Sequence, residues 1–244
     1  MEYILYNKTL NVKGDVMLPT EQQIESWEYA NGKRPFNGIG NLFRQYSQYQ
    51  LMQSWEEKYH FKTALEFPFD RATDGIDGNC LSCAHIAIEN YKDVNTNTQA
   101  ELVWNFGFLQ RQPELLEIMK PASTKYVAAF VPNFFNPGTV VHAIYHKVYR
   151  DTNPCNHPER GDWKLMNLQG LHKLFTLTGF KTLELGYADI PPFPDTVVTI
   201  KEFFGSKSRE VLKVPGNMRK LLWFEKVAWP KTFWAHHCYI LGEK

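Results

Sequence analysis

The sequence predicts an open, mostly parallel α/β sheet with helices packed on both of its faces. Two apolar segments, Glu101–Gln110 and Lys125–Asn133, are predicted strands separated by a short helix. Each strand runs out into polar or glycine residues, and the carboxyl ends of neighbouring parallel strands are where such sheets bind ligands. We therefore expect a ligand site near Asn105, Gly107 and Asn133.

The composition excludes a partner recruited by overall charge. The chain has 244 residues, with 27 basic against 26 acidic side chains, so no long-range field favours nucleic acid or an anionic membrane. No apolar run approaches the roughly 20 residues needed to span a bilayer, and the first residues lack the basic region of a signal peptide. These features predict a cytoplasmic protein without a disulfide scaffold, since the chain has only four cysteines.

Two regions are predicted along the chain. Residues 1–60 are expected to form an N-terminal strand, at residues 2–10, and a helical cap segment in which apolar side chains recur near helical spacing. Residues 61–244 are expected to form one α/β domain with an insertion at about residues 190–231.

The α/β domain is predicted to begin with the buried strand Thr63–Pro68, which Pro68 ends because proline cannot donate a ladder hydrogen bond. A loop at residues 69–78 follows, and then a helix from about Asn79 to Tyr91. The remaining elements are a helix at Leu168–Thr178 that Gly179 ends, and strands at Lys181–Tyr187 and Thr232–Leu241.

The order of these elements resembles that of the class I S-adenosylmethionine-dependent methyltransferases, whose sheet is Rossmann-like with an antiparallel last strand. Thr63–Pro68 resembles their first strand, Glu101–Gln110 their fourth and Lys125–Asn133 their fifth. The segment from Leu168 to Leu241 is similar to their closing hairpin of strands six and seven. The resemblance covers about residues 60–242.

The resemblance implies S-adenosylmethionine as the cofactor and a methyl transfer to an acceptor, a small molecule or a protein, that the sequence does not identify. The resemblance implies that Glu66, near the end of the first strand, and Gly75 and Gly78, in the loop after it, would contact the cofactor. By the same match, Asn105 and Gly107 would lie beside the methyl group.

A second set of candidates would face the acceptor as catalytic residues. His142 and His146 are four residues apart, which places both imidazoles on one face of a helix, and in the family the region past strand five borders the substrate cavity. Asn133 ends that strand and joins them. The alternative is a surface helix whose histidines belong to a polar face.

The chain departs from the family in two places. Phe69–Asp74 occupies the stretch where the family has a glycine-rich loop that lets backbone approach the cofactor. Residues 69–100 leave room for one crossover of roughly 30 residues before the next predicted strand. The second and third strands of the family are therefore predicted to be missing, so that the sheet is truncated at Thr63–Pro68. We expect residues 2–10, a protein partner or self-association to cover that open edge.

These departures motivate a second hypothesis. The chain would then be a catalytically silent subunit or binding module with a methyltransferase fold, acting through a protein partner. The absence of a recognisable catalytic triad does not separate the two hypotheses, because methyl transfer from a sulfonium needs little acid–base help. Cofactor binding does separate them.

For two further sequence patterns, we favour a structural interpretation over a binding site. Cys80, Cys83, Cys155 and His157 offer zinc-ligand chemistry, but one C-x-x-C lacks a well-spaced second pair and packing is favoured, so no metal site is predicted. Residues 201–231 hold eight lysines and arginines against three glutamates, with aromatic residues between them. No nucleic-acid fold signature accompanies them, which favours a solvated insertion over a nucleic-acid contact.

Overall fold

The computed structural model describes residues 39–67, 83–87, 98–107, 109–140, 166–190 and 223–244. The elements in chain order are α1 (Ile39–Tyr59), β1 (Thr63–Phe67), β2 (Ala84–Ala87), β3 (Ala100–Phe106), α2 (Leu115–Ala122), β4 (Ser123–Pro132), α3 (Leu168–Leu177), β5 (Lys181–Ala188), α4 (Lys231–Trp234) and β6 (His237–Glu243).

Six strands form one sheet in the order β2-β1-β3-β4-β6-β5. The first four of these pair in parallel, whereas β6 runs antiparallel to both β4 and β5. Strands β1 and β3 are parallel neighbours, and Phe67 lies opposite Asn105 at their carboxyl ends. The predicted α/β sheet, mostly parallel with an antiparallel last strand, is thereby confirmed.

Helices cover both faces of the sheet, so the central strands are apolar on both sides. On one face, α2 and α3 pack against the alternate side chains that include Leu65 and Val103. On the other face, α1 packs Leu51, Met52 and Trp55 onto the sheet, and Trp55 is fully buried. These contacts fix α1, the described part of the predicted helical cap segment, to the domain.

A polar cluster also ties α1 to the outer strand β5. One carboxylate oxygen of Glu184 accepts hydrogen bonds from Lys58 Nζ at 2.5 Å and from the hydroxyl of Tyr59 at 2.9 Å. The other oxygen accepts from the indole Nε1 of Trp55 at 2.9 Å. Burial opposes ionisation of Glu184, but these hydrogen bonds outweigh it and lower the pKa of the carboxyl below its ordinary value.

The predicted helix at residues 79–91 is wrong where the structure describes it. Ala84–Ala87 is a strand that pairs in parallel with β1, from Thr63 opposite Ala84 to Glu66 opposite Ala87. The family's second strand is therefore present, and β1 is an inner strand and not the sheet edge. The expectation of a missing second strand failed because a short apolar run shows no period that separates a strand from a helix. No counterpart of the third strand lies among the described residues, where β2 forms the edge.

The other predicted elements differ from the observed ones mainly at their ends. Strand β3 ends at Phe106, four residues before Gln110, because the chain turns at Gly107. Strand β6 begins at His237 and not at Thr232, since Lys231–Trp234 is a helical turn that starts after Pro230. The predicted boundary between two regions near residue 60 stays a prediction.

Several predicted segments lie outside the described residues: the strand at 2–10, the beginning of the helical segment at 20–38, the loop at 69–78 and residues 191–222 of the insertion. In the part of the chain that is described, no helix combines the length and the apolar character that a membrane crossing requires.

Candidate functional site

The carboxyl ends of β1 and β3 meet at one edge of the sheet, as the sequence predicted. Asn105 is buried there, and its side-chain amide donates a hydrogen bond of 2.8 Å to the main-chain carbonyl of Phe67. This bond spans the two strand ends at the place where the crevice is expected. Asn105 therefore has a structural role at this edge in addition to its predicted position beside the cofactor.

Gly107 turns the chain away from the sheet directly after β3. Its φ angle is 70°, in the left-handed region that disfavours side chains, and its N–H donates to the carbonyl of Phe130 at 2.8 Å. A Cβ placed on Gly107 would meet no atom of the described residues within 4 Å, so these residues leave the space beside the glycine open. A ligand can therefore approach the backbone at this point.

The other cofactor candidates are only partly described. Glu66 is buried near the end of β1, opposite Trp104 in register and on the face of the sheet that α1 covers. Gly75 and Gly78 lie outside the described residues, as do His142 and His146. Their predicted contacts with the cofactor and the acceptor stay predictions.

Asn133 anchors the chain segment that precedes β6. Its amide nitrogen donates to the carbonyls of Thr232 at 2.7 Å and Ala235 at 2.8 Å, while its oxygen accepts from the N–H of Phe135 at 3.2 Å. Asn136 continues this arrangement by donating to the carbonyl of Trp234 at 2.9 Å. The predicted catalytic role of Asn133 is untested, and the structure adds a positioning role.

A cluster of one aspartate and two histidines, which the sequence did not predict, lies where β5 ends and β6 begins. The carboxylate oxygen Oδ2 of Asp189 is 3.0 Å from Nδ1 of His236 and 3.2 Å from Nδ1 of His237. All three side chains are buried, and among the described residues they are the group of potential metal ligands that converges on one point. The two imidazole rings are 4.1 Å apart between centroids.

Electrostatics distinguish the carboxylates around this cluster. Burial opposes ionisation of Asp189, but the hydrogen bonds with His236 and His237 outweigh burial and lower the pKa of the carboxyl below its ordinary value. Burial raises the pKa of Glu225 to about 7, and the negative charge of Asp189 contributes to that increase. Asp189 is therefore ionised at neutral pH, while Glu225 is partly protonated.

The cluster adjoins the predicted crevice. His237 begins β6, opposite Pro132 of β4 and Ala188 of β5, so it lies at the same edge as the carboxyl ends of the parallel strands. Its ring also contacts Phe106, the last residue of β3, with centroids 4.9 Å apart. One aromatic ring therefore separates the cluster from the turn at Gly107.

Of the cysteine and histidine candidates considered for zinc, only Cys83 lies among the described residues. Its thiol is half-buried and outside any disulfide, and its N–H donates to Glu56 Oε1 at 2.7 Å. Burial, together with the negative charge of Glu56, raises the pKa of the Cys83 thiol to about 11. The thiol is thus protonated at neutral pH in the metal-free protein.

The sequence matches no protein-family model and no curated protein. Solved structures are similar at low identity. Magnesium protoporphyrin IX methyltransferase from Synechocystis PCC 6803, with SAH bound, aligns at a TM-score of 0.48 and 6% identity over 92% of this chain and 94% of the other. A cyclopropane-fatty-acyl-phospholipid synthase-like protein from Lactobacillus casei aligns at a TM-score of 0.44 and 10% identity, over 92% of this chain and 93% of the other. A SAM-dependent methyltransferase from Archaeoglobus fulgidus aligns at a TM-score of 0.39 and 14% identity, over 83% of this chain and 98% of the other.

The fold assignment rests on the sheet itself. The strands that resemble the family's first, fourth and fifth are parallel neighbours in that order, and an antiparallel last strand lies between the fifth and the sixth. A parallel strand next to the first supplies the second. The chain therefore has the Rossmann-like fold of the class I S-adenosylmethionine-dependent methyltransferases.

Proposed function

We propose that the protein is an S-adenosylmethionine-dependent methyltransferase. The observation that carries the proposal is the edge at which β1 and β3 lie side by side. Asn105 is hydrogen-bonded across the strand ends there, and the described residues leave space beside Gly107. Open parallel sheets bind nucleotide-like ligands at this kind of edge.

The chemistry asks little of the protein beyond positioning. A sulfonium methyl group is already activated, and its leaving group departs neutral, so holding donor and acceptor in line supplies much of the rate. Gly107 would admit the methionine part of the cofactor, because no side chain blocks the backbone there. Glu66, Gly75 and Gly78 would complete the cofactor contacts, and His142 and His146 would face the acceptor.

The structure weakens the case for a silent subunit. That hypothesis depended in part on the loss of the second strand, and β2 is present beside β1. The part of the predicted crevice that lies beside β1, on the side away from β3, is therefore bordered by β2. The sequence Phe69–Asp74, which stands where the family has a glycine-rich loop, still motivates a test.

Isothermal titration with S-adenosylhomocysteine tests the proposal without knowledge of the acceptor. We expect saturable binding of one ligand per chain, and no comparable binding of NAD⁺ or ATP, which other sheets of this type recognise. Gly107→Val should weaken the binding at least about tenfold, since a branched side chain would occupy the open space and oppose a positive φ.

The control is Gln99→Ala, which removes an exposed side chain at the opposite end of β3 and should leave the affinity unchanged. Absence of any heat with S-adenosylhomocysteine would favour the silent module. Binding of NAD⁺ in its place would point to a different enzyme class.

A further inference from the structure

We propose that Asp189, His236 and His237 form a binding site for a divalent transition-metal ion. The proposal is independent of methyl transfer, because it concerns three side chains that no step of that reaction requires. It begins from their convergence: one ligand atom from each residue lies within 4.8 Å of the others, and all three residues are buried.

Two of the three separations between the ligand atoms, those from the carboxylate oxygen to each imidazole nitrogen, fit a shared ion. Metal bonds of about 2.0–2.2 Å to imidazole nitrogen and carboxylate oxygen, at tetrahedral or octahedral angles, place the ligand atoms roughly 3.0–3.5 Å apart. The two Nδ1 atoms lie 3.0 and 3.2 Å from Oδ2 of Asp189. Direct N–H···O hydrogen bonds give similar distances, so a second observation is needed to choose between the two.

That observation is the remaining carboxylate oxygen. Oδ1 of Asp189 is buried and has no hydrogen-bond partner in the described part of the chain. An unpartnered oxygen on a fully buried carboxylate is costly, and native proteins rarely leave one. The two imidazoles contact only Oδ2, and a cation bound by this carboxylate would stabilise its negative charge.

The backbone holds the three ligands in place. Asp189 has a φ of 57°, a left-handed conformation that is uncommon outside glycine and that recurs at functional sites. Its carbonyl accepts from the N–H of His236 at 2.7 Å, and its own N–H donates to Oγ of Ser47 on α1 at 3.1 Å. The site is therefore built from α1, the end of β5 and the start of β6.

The donor set indicates which ions the site would take. Two imidazole nitrogens and one carboxylate suit Zn²⁺, Fe²⁺, Co²⁺ and Ni²⁺, whereas Mg²⁺ and Ca²⁺ prefer oxygen ligands. Three protein ligands leave at least one coordination position for water or another small ligand. The contact between His237 and Phe106 would place such an ion at the crevice edge of the sheet.

Cobalt titration of metal-depleted full-length protein tests the site. We expect one Co²⁺ per chain with visible d–d bands and no intense thiolate charge-transfer band, and one Zn²⁺ per chain by mass spectrometry after dialysis. Asp189→Asn and His236→Gln keep the side-chain size and should each lower the metal affinity at least about tenfold. His172→Ala, on the exposed face of α3, is the matched control and should bind like the parent.

Circular dichroism of each variant separates a lost ligand from a lost fold. If one variant fails to fold, the metal affinities of the other variant and of the parent still test the site. A parent that binds no Co²⁺ overturns the proposal in favour of a metal-free hydrogen-bonded cluster. So does a thiolate band, which would place the ion at the cysteines, or unchanged affinity in a folded Asp189 or His236 variant.

Discussion

The side-chain amide of Asn105 donates a hydrogen bond of 2.8 Å to the main-chain carbonyl of Phe67, joining the carboxyl ends of β3 and β1. Asn105→Ala would leave that carbonyl without this donor in a buried setting, so we expect a loss of about 1–3 kcal/mol in the free energy of unfolding and weaker binding of S-adenosylhomocysteine. Denaturant titration and calorimetry measure the two effects.

The matched control for Asn105 is Gln99, whose amide also donates to a main-chain carbonyl, that of Pro121 at 3.2 Å, but is exposed. Gln99→Ala should change the unfolding free energy by no more than about 0.5 kcal/mol. Equal effects of the two substitutions would show that the Asn105 bond does not fix the strand ends.

Two glycines should respond to alanine with opposite signs. Gly107 has a φ of 70°, so Gly107→Ala should destabilise the protein by about 1–2 kcal/mol although the added Cβ meets no atom of the described residues within 4 Å. Gly170 lies in α3, where its Cβ would be 3.4 Å from Oδ1 of Asn167, and Gly170→Ala should stabilise by about 0.5–1 kcal/mol. Thermal and denaturant unfolding measure both changes in stability. A destabilised Gly170→Ala together with a Gly107→Ala of unchanged stability would contradict the prediction.

Glu184 should make the stability of the protein depend on pH. Its pKa is lowered in the folded state, so its contribution is fully present above its unfolded pKa of about 4.5 and is lost as the pH falls through the folded pKa. Glu184→Gln should lower the unfolding free energy by about 1–3 kcal/mol at pH 7, and the gap between parent and variant should close in acid.

Glu243 provides the comparison for Glu184, because its carboxylate pairs with Lys181 Nζ at 3.1 Å while the lysine side chain is 76% exposed. Glu243→Gln should change the unfolding free energy by at most about 1 kcal/mol at any pH. A gap for Glu184→Gln that is independent of pH would contradict the assignment of an ionised, bonded carboxylate.

Asn133 should behave as a positioning residue. Asn133→Ala removes two donors from main-chain carbonyls of the segment that leads into His236, so we expect a loss of about 1–3 kcal/mol in the unfolding free energy and a weaker affinity for Co²⁺. Asn167→Ala removes only a helix cap, and should cost about 1 kcal/mol with the cobalt affinity unchanged. Unchanged stability and unchanged cobalt affinity of Asn133→Ala would contradict the positioning role.

The sequence revealed the strands that lie deepest in the sheet. Segments such as β4 are apolar on both faces and β-branched or aromatic in large part, so their type is evident from local pattern alone. The sequence did not reveal the short strand β2, because a segment of four residues is too short to show whether its apolar side chains repeat with the period of a strand or of a helix. Only pairing with β1, a tertiary contact, decides the matter.

The cluster at Asp189 could not be predicted from local sequence patterns, because its residues lie far apart in the chain. Asp189 and His236 are 47 positions apart, and the antiparallel pairing of β5 with β6 brings them together. The adjacent histidines were visible inside a predicted strand, where alternation would send them to opposite faces. The irregular residue His236 precedes the strand, so both rings can reach one carboxylate.

A crystal structure of the protein with S-adenosylhomocysteine tests the central claim most directly. We predict ligand density at the carboxyl edge of the sheet, over the ends of β1 and β3, with the backbone of Gly107 in van der Waals contact with the ligand. Density elsewhere on the molecule, or an empty edge at saturating ligand with an affinity measured in the same solution, would contradict it.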